Sequence, residues 1–351
     1  MTMLKKTLLS LTLCLGLSQV STTVLANQNI QLGESYTLPS TVLKEQREVQ
    51  VYLPSSYTRY STQRYPVIYL LDSESNFHYL TAIVEKLSKS PYPAIPEMII
   101  VGIVNTDRSR DLTPSVQKTD SLAGRKIEGK TGGNAAFFKF LETELMPDIT
   151  HKYRSNGFNI MIGHSFGGIT ALNHMISSEK SMQAYIVHDP SIWWDNEMML
   201  KTFQNANNTK MQNKQLFLSQ AGISTQQNGV DQHDDAIQKM HQYFSGQQQH
   251  HLNYKFVRYE DENHGSVTMK GNLDGLRFIF EDMQLNIKAV AQNPNLVKQH
   301  YAQLSQKLGF EIQPSEPYLD AVLSYLKREH QQQAVQQFQA YMNSIYPKKP
   351  I

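Results

Sequence analysis

The chain has 351 residues, of which 40% are hydrophobic, so it is long and apolar enough for a sizeable buried core and is not a disordered chain. Lys and Arg number 33 against 31 Asp and Glu. Because this nearly neutral chain has no basic stripe to meet a phosphate backbone, we expect no nucleic-acid partner.

Residues 1–26 are typical of a secretory signal peptide. Two lysines precede an apolar run from Leu8 to Leu17, and the segment ends at Ala26. The run is shorter than the roughly 20 apolar residues of a spanning helix, so we expect cleavage and no membrane span in the mature chain. The sequence therefore predicts a periplasmic or secreted protein. The only cysteine, Cys14, lies in this segment, which excludes disulfides and cysteine catalysis after cleavage.

Short apolar runs then alternate with segments of helical periodicity. The predicted strands are 49–53, 65–72, 98–104, 158–162, 184–187, 215–218 and 254–259, and the predicted helices are 77–87, 134–149, 168–176, 235–244 and 273–283. Nearly continuous apolar runs are typical of parallel strands that helices cover on both faces. The alternation predicts an α/β fold over residues 27–284, with a doubly wound, mostly parallel sheet that is entered through an antiparallel edge.

Residues 285–351 differ from the preceding domain. They are rich in Gln and show helical spacing at 297–308, 318–326 and 334–346, without a strand pattern. We expect a small helical annex whose last two helices resemble one tetratricopeptide-like hairpin. Because about three such units are needed for a stable solenoid, the hairpin is expected to pack on the main domain or on a second copy, which would make a homodimer.

The most informative motif is Gly163-His164-Ser165-Phe166-Gly167. It follows an apolar strand and precedes an amphipathic helix, which is the context of a nucleophile elbow. Such a turn is tight and strained, and glycines on either side leave room for neighbouring backbone. The motif predicts Ser165 as a nucleophile at the carboxyl end of the sheet, beside the amide donors of a helix N-terminus.

A serine nucleophile needs a general base, and His264 is the histidine that follows the last predicted strand. The carboxylate that would orient this histidine is less constrained by the sequence, because residues 219–230 contain no carboxylate. Asp189 directly follows the neighbouring strand and is one candidate. The cluster that begins at Asp231 is another, although it is also suited to capping the following helix. A serine–histidine dyad without an acid is the third alternative.

Five motifs together resemble the putative-esterase family of α/β-hydrolases, within it the periplasmic siderophore-esterase branch. They are YPVIYLLD at 65–72, NTDRSRDLTP at 105–114, GHSFG at 163–167, DPSIWWD at 189–195 and ENHGS at 262–266. The resemblance spans residues 35–285 and implies hydrolysis of ferric-enterobactin-type trilactones. It also implies an oxyanion hole made by the amides of Phe166 and Glu74, with Ser73 standing where the family usually has Gly.

Further residues near these motifs are candidates for substrate binding. Arg108 is suited to holding an anionic substrate, with pairing to a nearby aspartate as the structural alternative. Trp193 is suited to an aromatic wall, with a place in the core as its alternative. Residues 124–131 match the sequence pattern of a phosphate-binding loop, but no predicted strand precedes them. We therefore interpret the glycine-rich segment 122–133 as a lid at the mouth of the site.

These features predict an exported serine esterase that hydrolyses small-molecule carboxylic esters through an acyl-enzyme. Neither a metal nor another cofactor is required, because no helix carries a metal-ligand motif. Siderophore trilactones are the leading substrate class, and feruloyl or acetyl esters are the alternative. A noncatalytic binding protein of the same fold, with the annex as its partner surface, is the alternative from another class.

Overall fold

One mixed sheet organises the computed structural model of the chain, which describes residues 31–120, 122, 124–178, 181–206, 211–224, 231–246 and 252–347. Its strands are β1 (Glu34–Ser40), β2 (Glu45–Tyr52), β3 (Tyr65–Leu70), β4 (Ile99–Ile103), β5 (Ser155–His164), β6 (Ala184–His188), β7 (Gln215–Ile223) and β8 (Asn253–Asn263). Their order in the sheet is β1-β2-β4-β3-β5-β6-β7-β8. The first two pairings are antiparallel and the rest are parallel, which confirms the predicted fold class.

The apolar runs occupy the places that their composition predicts. Every residue of β3 and β4 is buried, because helices cover both faces of the central sheet. The β1 strand was not predicted, since its polar residues lie at the sheet edge and only Ser40 is buried. It pairs with β2 from Glu34 opposite Val51 to Ser40 opposite Glu45.

Helices lie on both faces of the sheet, as in a doubly wound fold. They are α1 (Ser73–Leu87), α2 (Arg108–Asp111), α3 (Asn134–Phe140), a π-helical turn (Leu141–Leu145), α4 (Met146–Lys152), α5 (Phe166–Ser177), α6 (Trp194–Asn205), α7 (Gln232–Gly246), α8 (Val267–Ile279), α9 (Ile287–Gln292), α10 (Leu296–Leu308), α11 (Glu316–Arg328) and α12 (Gln332–Ile345). Alternate strand residues divide the core in two. One cluster joins the sheet to α3–α7, and the other joins it to α1 and α8–α12.

The annex helices extend the second cluster rather than forming a free array. Phe310 packs edge-on against Phe158 of β5, with ring centroids 5.3 Å apart. The Tyr60 hydroxyl donates a hydrogen bond to Asp320 Oδ2 at 2.7 Å. Leu32–Ile351 form one compact unit. The boundaries 27–284 and 285–351 stay predictions, and the predicted signal peptide with Cys14 lies outside the described residues. Over the described ranges, the structure contains no helix long and apolar enough to cross a membrane.

Candidate active site

Ser165 occupies the turn between β5 and α5, where its backbone has φ 58° and ψ −116°. A non-glycine residue rarely adopts positive φ, so this turn is strained. The Ser165 amide donates to the carbonyl of His188 at 3.1 Å, which ties the turn to the end of β6. A Cβ on Gly163 would lie 2.1 Å from the carbonyl oxygen of Gly167. The turn therefore requires glycine there, as a nucleophile elbow does.

Asp189 directly follows β6 and contacts the predicted base. Its Oδ2 lies 2.6 Å from Nδ1 of His264, and its Oδ1 accepts the Ala221 amide at 2.9 Å. Burial alone would raise the pKa of Asp189, but hydrogen bonds from His233, His264 and the Ala221 amide hold it well below its usual range. The carboxylate is therefore ionised and fixed in orientation beside His264.

Asp231, the alternative acid, has other hydrogen-bond partners. Its Oδ1 accepts the backbone amide of His233 at 3.0 Å and that of Asp234 at 3.4 Å, at the beginning of α7. Its Oδ2 accepts the hydroxyl of Ser224. This is the helix-capping arrangement that the sequence left open. The structure thus brings Asp189, and not Asp231, to His264.

Ser165 and His264 line the same cavity of about 150 Å³, together with Asp189, Ser191, Trp193 and the side chains of Leu122, Ile223, Asp231 and His233. The partner of the Ser165 hydroxyl in this structure is Ser191 Oγ, at 3.2 Å, rather than His264. A larger cavity, of about 380 Å³, lies at the opposite end of β3 beside Arg64 and Glu97. Its described lining has no histidine, so the smaller cavity is the candidate active site.

Two further histidines lie beneath the site. The ring of His164 is 4.4 Å from that of His264, and burial together with its histidine neighbours lowers the pKa of His164 to about 3. His188 is fully buried between Ser219 Oγ at 2.7 Å and Asn272 Oδ1 at 2.9 Å, and burial lowers its pKa to about 4. Both rings are therefore neutral near pH 7 and do not compete with His264 for the proton of Ser165.

The residues expected to supply oxyanion donors lie on two adjoining helix starts. Phe166 is the first residue of α5, and Glu74 lies in the first turn of α1. The chain before α1 reaches the elbow, since a Cβ on Gly167 would lie 3.1 Å from Asp72 Oδ2. Asp72 has φ 52°, a left-handed conformation that turns the chain sharply at the end of β3. Helix N-termini offer backbone amides to developing negative charge, so the placement suits an oxyanion hole.

The predicted substrate contacts have different surroundings. Trp193 lines the cavity, whereas Trp194 is buried and donates its Nε1 hydrogen to Ser115 Oγ at 3.0 Å. Arg108 makes a forked ion pair with Asp72, at 2.7 and 3.0 Å, and lies over the Phe166 ring at 5.3 Å. The partner of Arg108 is thus the aspartate after β3 and not a neighbour in its own loop. Its guanidinium is engaged in ordering the wall of the site.

His233 was missed by the sequence analysis. It lies in the first turn of α7, and its Nε2 is 3.0 Å from Asp189 Oδ2, the oxygen that also contacts His264. The two imidazole rings meet edge to face at 5.3 Å. Within the described residues, Asp189, His233 and His264 form a group whose donor atoms all lie within 4.8 Å of one another. The only sequence signal was its position after the strand that usually precedes the acid.

The site combines a strained serine turn with a histidine and an aspartate that follow the ends of parallel strands. This combination defines a serine hydrolase of the α/β-hydrolase fold. Residues 40–266 match the model of the family described as Putative esterase, and the chain belongs to that family. An IroE-like serine hydrolase from Shewanella oneidensis has a similar structure, with a TM-score of 0.78 and 31% identity over 89% of this chain and 99% of the other.

Two Bacillus proteins are also similar. The ferri-bacillibactin esterase BesA of Bacillus subtilis (strain 168) is 27% identical over 256 residues, which cover 67% of this chain and 88% of BesA. The crystal structure of the BES protein from Bacillus cereus has a TM-score of 0.59 and 26% identity, over 72% of this chain and 97% of that protein. Family and relatives agree that the chain is a carboxylic-ester hydrolase of the serine type.

Proposed function

We propose that this chain is an exported serine esterase that opens siderophore trilactones through an acyl-enzyme on Ser165. The observation that carries the proposal is the union, in one cavity, of a strained serine elbow and a histidine held by a buried aspartate at 2.6 Å. Such strain is maintained only where the surrounding fold over-determines it, which is typical of catalytic turns.

In this mechanism, His264 takes the hydroxyl proton of Ser165 while the serine oxygen attacks the ester carbonyl. Asp189 accepts the Nδ1 hydrogen of His264, so the other ring nitrogen, Nε2, has the lone pair that receives the proton. The same histidine then protonates the leaving alcohol and later activates the water that releases the acyl group. Ser191 accompanies the serine hydroxyl at 3.2 Å and must yield it to His264 when substrate binds.

The tetrahedral oxyanion would be held by the amides of Phe166 and Glu74. Each belongs to the first turn of a helix, where backbone amides lack partners within the helix. Removal of one such donor costs about 10²–10³ in rate in other hydrolases, so the hole contributes several kcal/mol to catalysis. The forked Arg108–Asp72 pair fixes the turn that leads into Glu74.

The small size of the cavity favours a large substrate that inserts only one ester group. About 150 Å³ holds an ester group with its nearest carbons, and the rest of such a substrate would rest on the rim. Leu122 lines the cavity, and in residues 118–130 around it the exposed basic residues Lys118, Arg125, Lys126 and Lys130 outnumber the acidic Asp120 and Glu128. A ferric catecholate complex carries net negative charge, which a basic segment next to the cavity attracts. The names of BesA and of a siderophore enterobactin esterase from Emericella nidulans support this substrate class.

Hydrolysis assays test the proposal. We expect the purified mature chain to cleave ferric enterobactin, and Ser165→Ala to lose at least about 10³-fold in rate. Cleavage of para-nitrophenyl acetate or butyrate alone would keep the mechanism and move the substrate to acetyl or feruloyl-type esters. A fluorophosphonate probe should label wild type but not Ser165→Ala. If the wild-type chain is neither labelled nor active, the hypothesis of a noncatalytic binding protein replaces that of an esterase.

Export and assembly are separate parts of the proposal. Residues 1–26 support secretion, and the mass of the mature protein from the periplasm of a bacterial host should correspond to a chain that begins at Asn27. An uncleaved chain that stays with the membrane would contradict it. The annex packs on its own hydrolase domain, and sedimentation velocity would decide whether it also joins two copies.

A further inference from the structure

One carboxylate oxygen is shared by two imidazoles at the candidate active site. Asp189 Oδ2 lies 2.6 Å from Nδ1 of His264 and 3.0 Å from Nε2 of His233. A serine hydrolase needs only the first of these contacts. The second histidine therefore gives the site a feature that ester hydrolysis does not explain.

The three donor atoms have the chemistry and spacing of a transition-metal site. Two imidazole nitrogens and a carboxylate oxygen are ligands that Zn²⁺ takes readily, at about 2.0–2.2 Å. Tetrahedral ligands at those lengths lie about 3.3 Å apart. The observed 2.6 and 3.0 Å, with all three atoms within 4.8 Å, need only small side-chain shifts to enclose an ion.

The surroundings hold these ligands in place and leave an approach for an ion. The Ala221 amide fixes Asp189 Oδ1 at 2.9 Å, so Oδ2 is the oxygen that faces the histidines. Asp231 accepts the amide of His233 and anchors that residue at the start of α7. The side chains are 2% exposed for Asp189, 14% for His233 and 36% for His264, so the group opens to solvent on the histidine side.

The electrostatics of the cavity also favour a cation. Asp231 and Asp234 line it together with Asp189, and of these Asp234 is paired with Arg258 at 3.2 Å. Within the three-residue group, the Asp189 carboxylate supplies the negative charge. A divalent ion reverses that charge at the place where the aspartate otherwise supports His264.

We propose that Asp189, His233 and His264 form a reversible Zn²⁺ site that switches the esterase off. The inhibitory effect rests on the proposed function, whereas the binding itself does not. The inhibition follows from which ring nitrogen of each histidine carries the proton. In the metal-free arrangement His264 carries its one proton on Nδ1, facing Asp189. When Zn²⁺ takes Nδ1, that proton moves to Nε2, and His233 likewise moves its proton from Nε2 to Nδ1.

No proton is gained or lost in this exchange, but the lone pair of His264 Nε2 is no longer available. Ser165 then has no base, and the metal holds the imidazole in the wrong tautomer for catalysis. Because only coordination bonds form, a chelator restores the original arrangement. The site is thus a switch that acts on the tautomer of the base rather than on access to the cavity.

The activity test measures para-nitrophenyl butyrate hydrolysis by the full mature chain over a Zn²⁺ series. We expect inhibition that EDTA reverses fully, and none with Mg²⁺, which prefers oxygen ligands and keeps its water. His233→Gln should raise the half-inhibiting Zn²⁺ concentration at least about 10-fold, with each variant compared with its own metal-free rate. His151→Gln, on the exposed surface of α4, should leave it unchanged. Equal sensitivity in His233→Gln would overturn the proposal.

A binding test separates this inference from the proposed function. Calorimetry on Ser165→Ala, which needs no turnover, should show one Zn²⁺ site that is weakened at least about 10-fold when His233→Gln is added. Zn²⁺ binding without any esterase activity would retain the site and remove its inhibitory role. An active esterase that shows no Zn²⁺ binding dependent on His233 would reject the site alone.

Discussion

Asp189 and Asp231 line the same cavity, and their hydrogen bonds predict opposite effects of the same substitution. Asp189→Asn keeps the shape but removes the charge that supports the His264 imidazolium, and an amide facing Nδ1 would impose the wrong tautomer. We expect kcat to fall on the order of 10³–10⁴-fold. Asp231→Asn should keep activity within about 3-fold, since Asn caps a helix as well as Asp.

Steady-state hydrolysis of para-nitrophenyl butyrate measures both variants, and circular dichroism confirms that each is folded. The two substitutions are chemically identical, so a general effect of lost charge would lower both rates. A large loss in Asp231→Asn with little change in Asp189→Asn would transfer the role of the acid to the start of α7. Little change in both would favour a serine–histidine dyad.

A second prediction at the residue scale concerns stability in acid, and it rests on the buried His174 and the half-buried Glu142, away from the site. His174 Nε2 lies 3.2 Å from Glu142 Oε1, and its Nδ1 lies 3.0 Å from the Tyr185 hydroxyl. Burial lowers the pKa of His174, so the neutral ring donates from Nε2 and accepts from Tyr185. The hydrogen bond from His174, with help from nearby serines, lowers the pKa of Glu142 from 4.5 to about 2.

The depressed pKa of Glu142 gives a signed prediction. Its ionised form stabilises the fold above the unfolded pKa of 4.5, and this stability is lost as pH falls towards about 2. Glu142→Gln still accepts from His174 but does not titrate, so the free energy of unfolding should fall less steeply over that window than in wild type. Urea unfolding at several pH values measures the two slopes. Equal slopes would show that Glu142 is not linked to acid unfolding.

At the scale of elements, the β5–α5 turn depends on a glycine at position 163. A Cβ on Gly163 would meet backbone at 2.1 Å, whereas one on Gly246, at the end of α7, meets nothing within 4 Å. We expect Gly163→Ala to lower the free energy of unfolding by about 3 kcal/mol or more and to abolish activity. Gly246→Ala should be neutral or stabilising, by up to about 1 kcal/mol.

Chemical unfolding and ester hydrolysis on the two alanine variants check this expectation. Because the substitution is the same and only the surroundings differ, a loss of stability confined to Gly163→Ala would come from the elbow. Near-wild-type activity in Gly163→Ala would contradict the close approach of β5 to Gly167.

The parallel strands and their helices could be predicted because burial on both faces leaves a continuous apolar signal. The β1 strand has no such signal, since its residues lie at an edge where polar side chains meet water. The α6 helix was also missed. Its first turn carries Asp195, Asn196 and Glu197 in left-handed conformations, so no regular helical periodicity begins there.

Site residues that follow the ends of strands could be predicted from the sequence. Residues that reach the site only because loops fold back over the sheet could not. Ser165, Asp189 and His264 each directly follow a strand, and the carboxyl ends of parallel strands meet at one edge of the sheet. His233 reaches Asp189 from the start of α7, and Arg108 reaches Asp72 across the end of β3. Neither contact has a spacing rule in sequence, because both depend on how loops fold back over the sheet.

The whole molecule joins hydrolase and annex through a common core. Leu319, Val322 and Phe338 of the annex belong to the same buried cluster as Ile68 of β3 and Ile160 of β5. The cluster covers the face of the sheet opposite α5 and α7. Removal of the annex would expose this apolar face to water. The annex is therefore a structural layer of the enzyme.

This shared core predicts that hydrolase and annex unfold together. The two tryptophans of the chain are Trp193, which lines the cavity, and Trp194, whose ring lies 5.1 Å from that of Phe166, so tryptophan fluorescence reports only the hydrolase. Far-ultraviolet circular dichroism reports all helices, including α9–α12. In guanidinium, we expect the two signals to give coincident transitions.

Phe310→Ala removes the contact with Phe158. It should lower the free energy of unfolding obtained from each signal by a similar amount, about 2 kcal/mol. Lys298→Ala, exposed on α10, should change neither by more than about 0.5 kcal/mol. An earlier loss of helix while fluorescence stays native would instead mean that the annex is an independent unit.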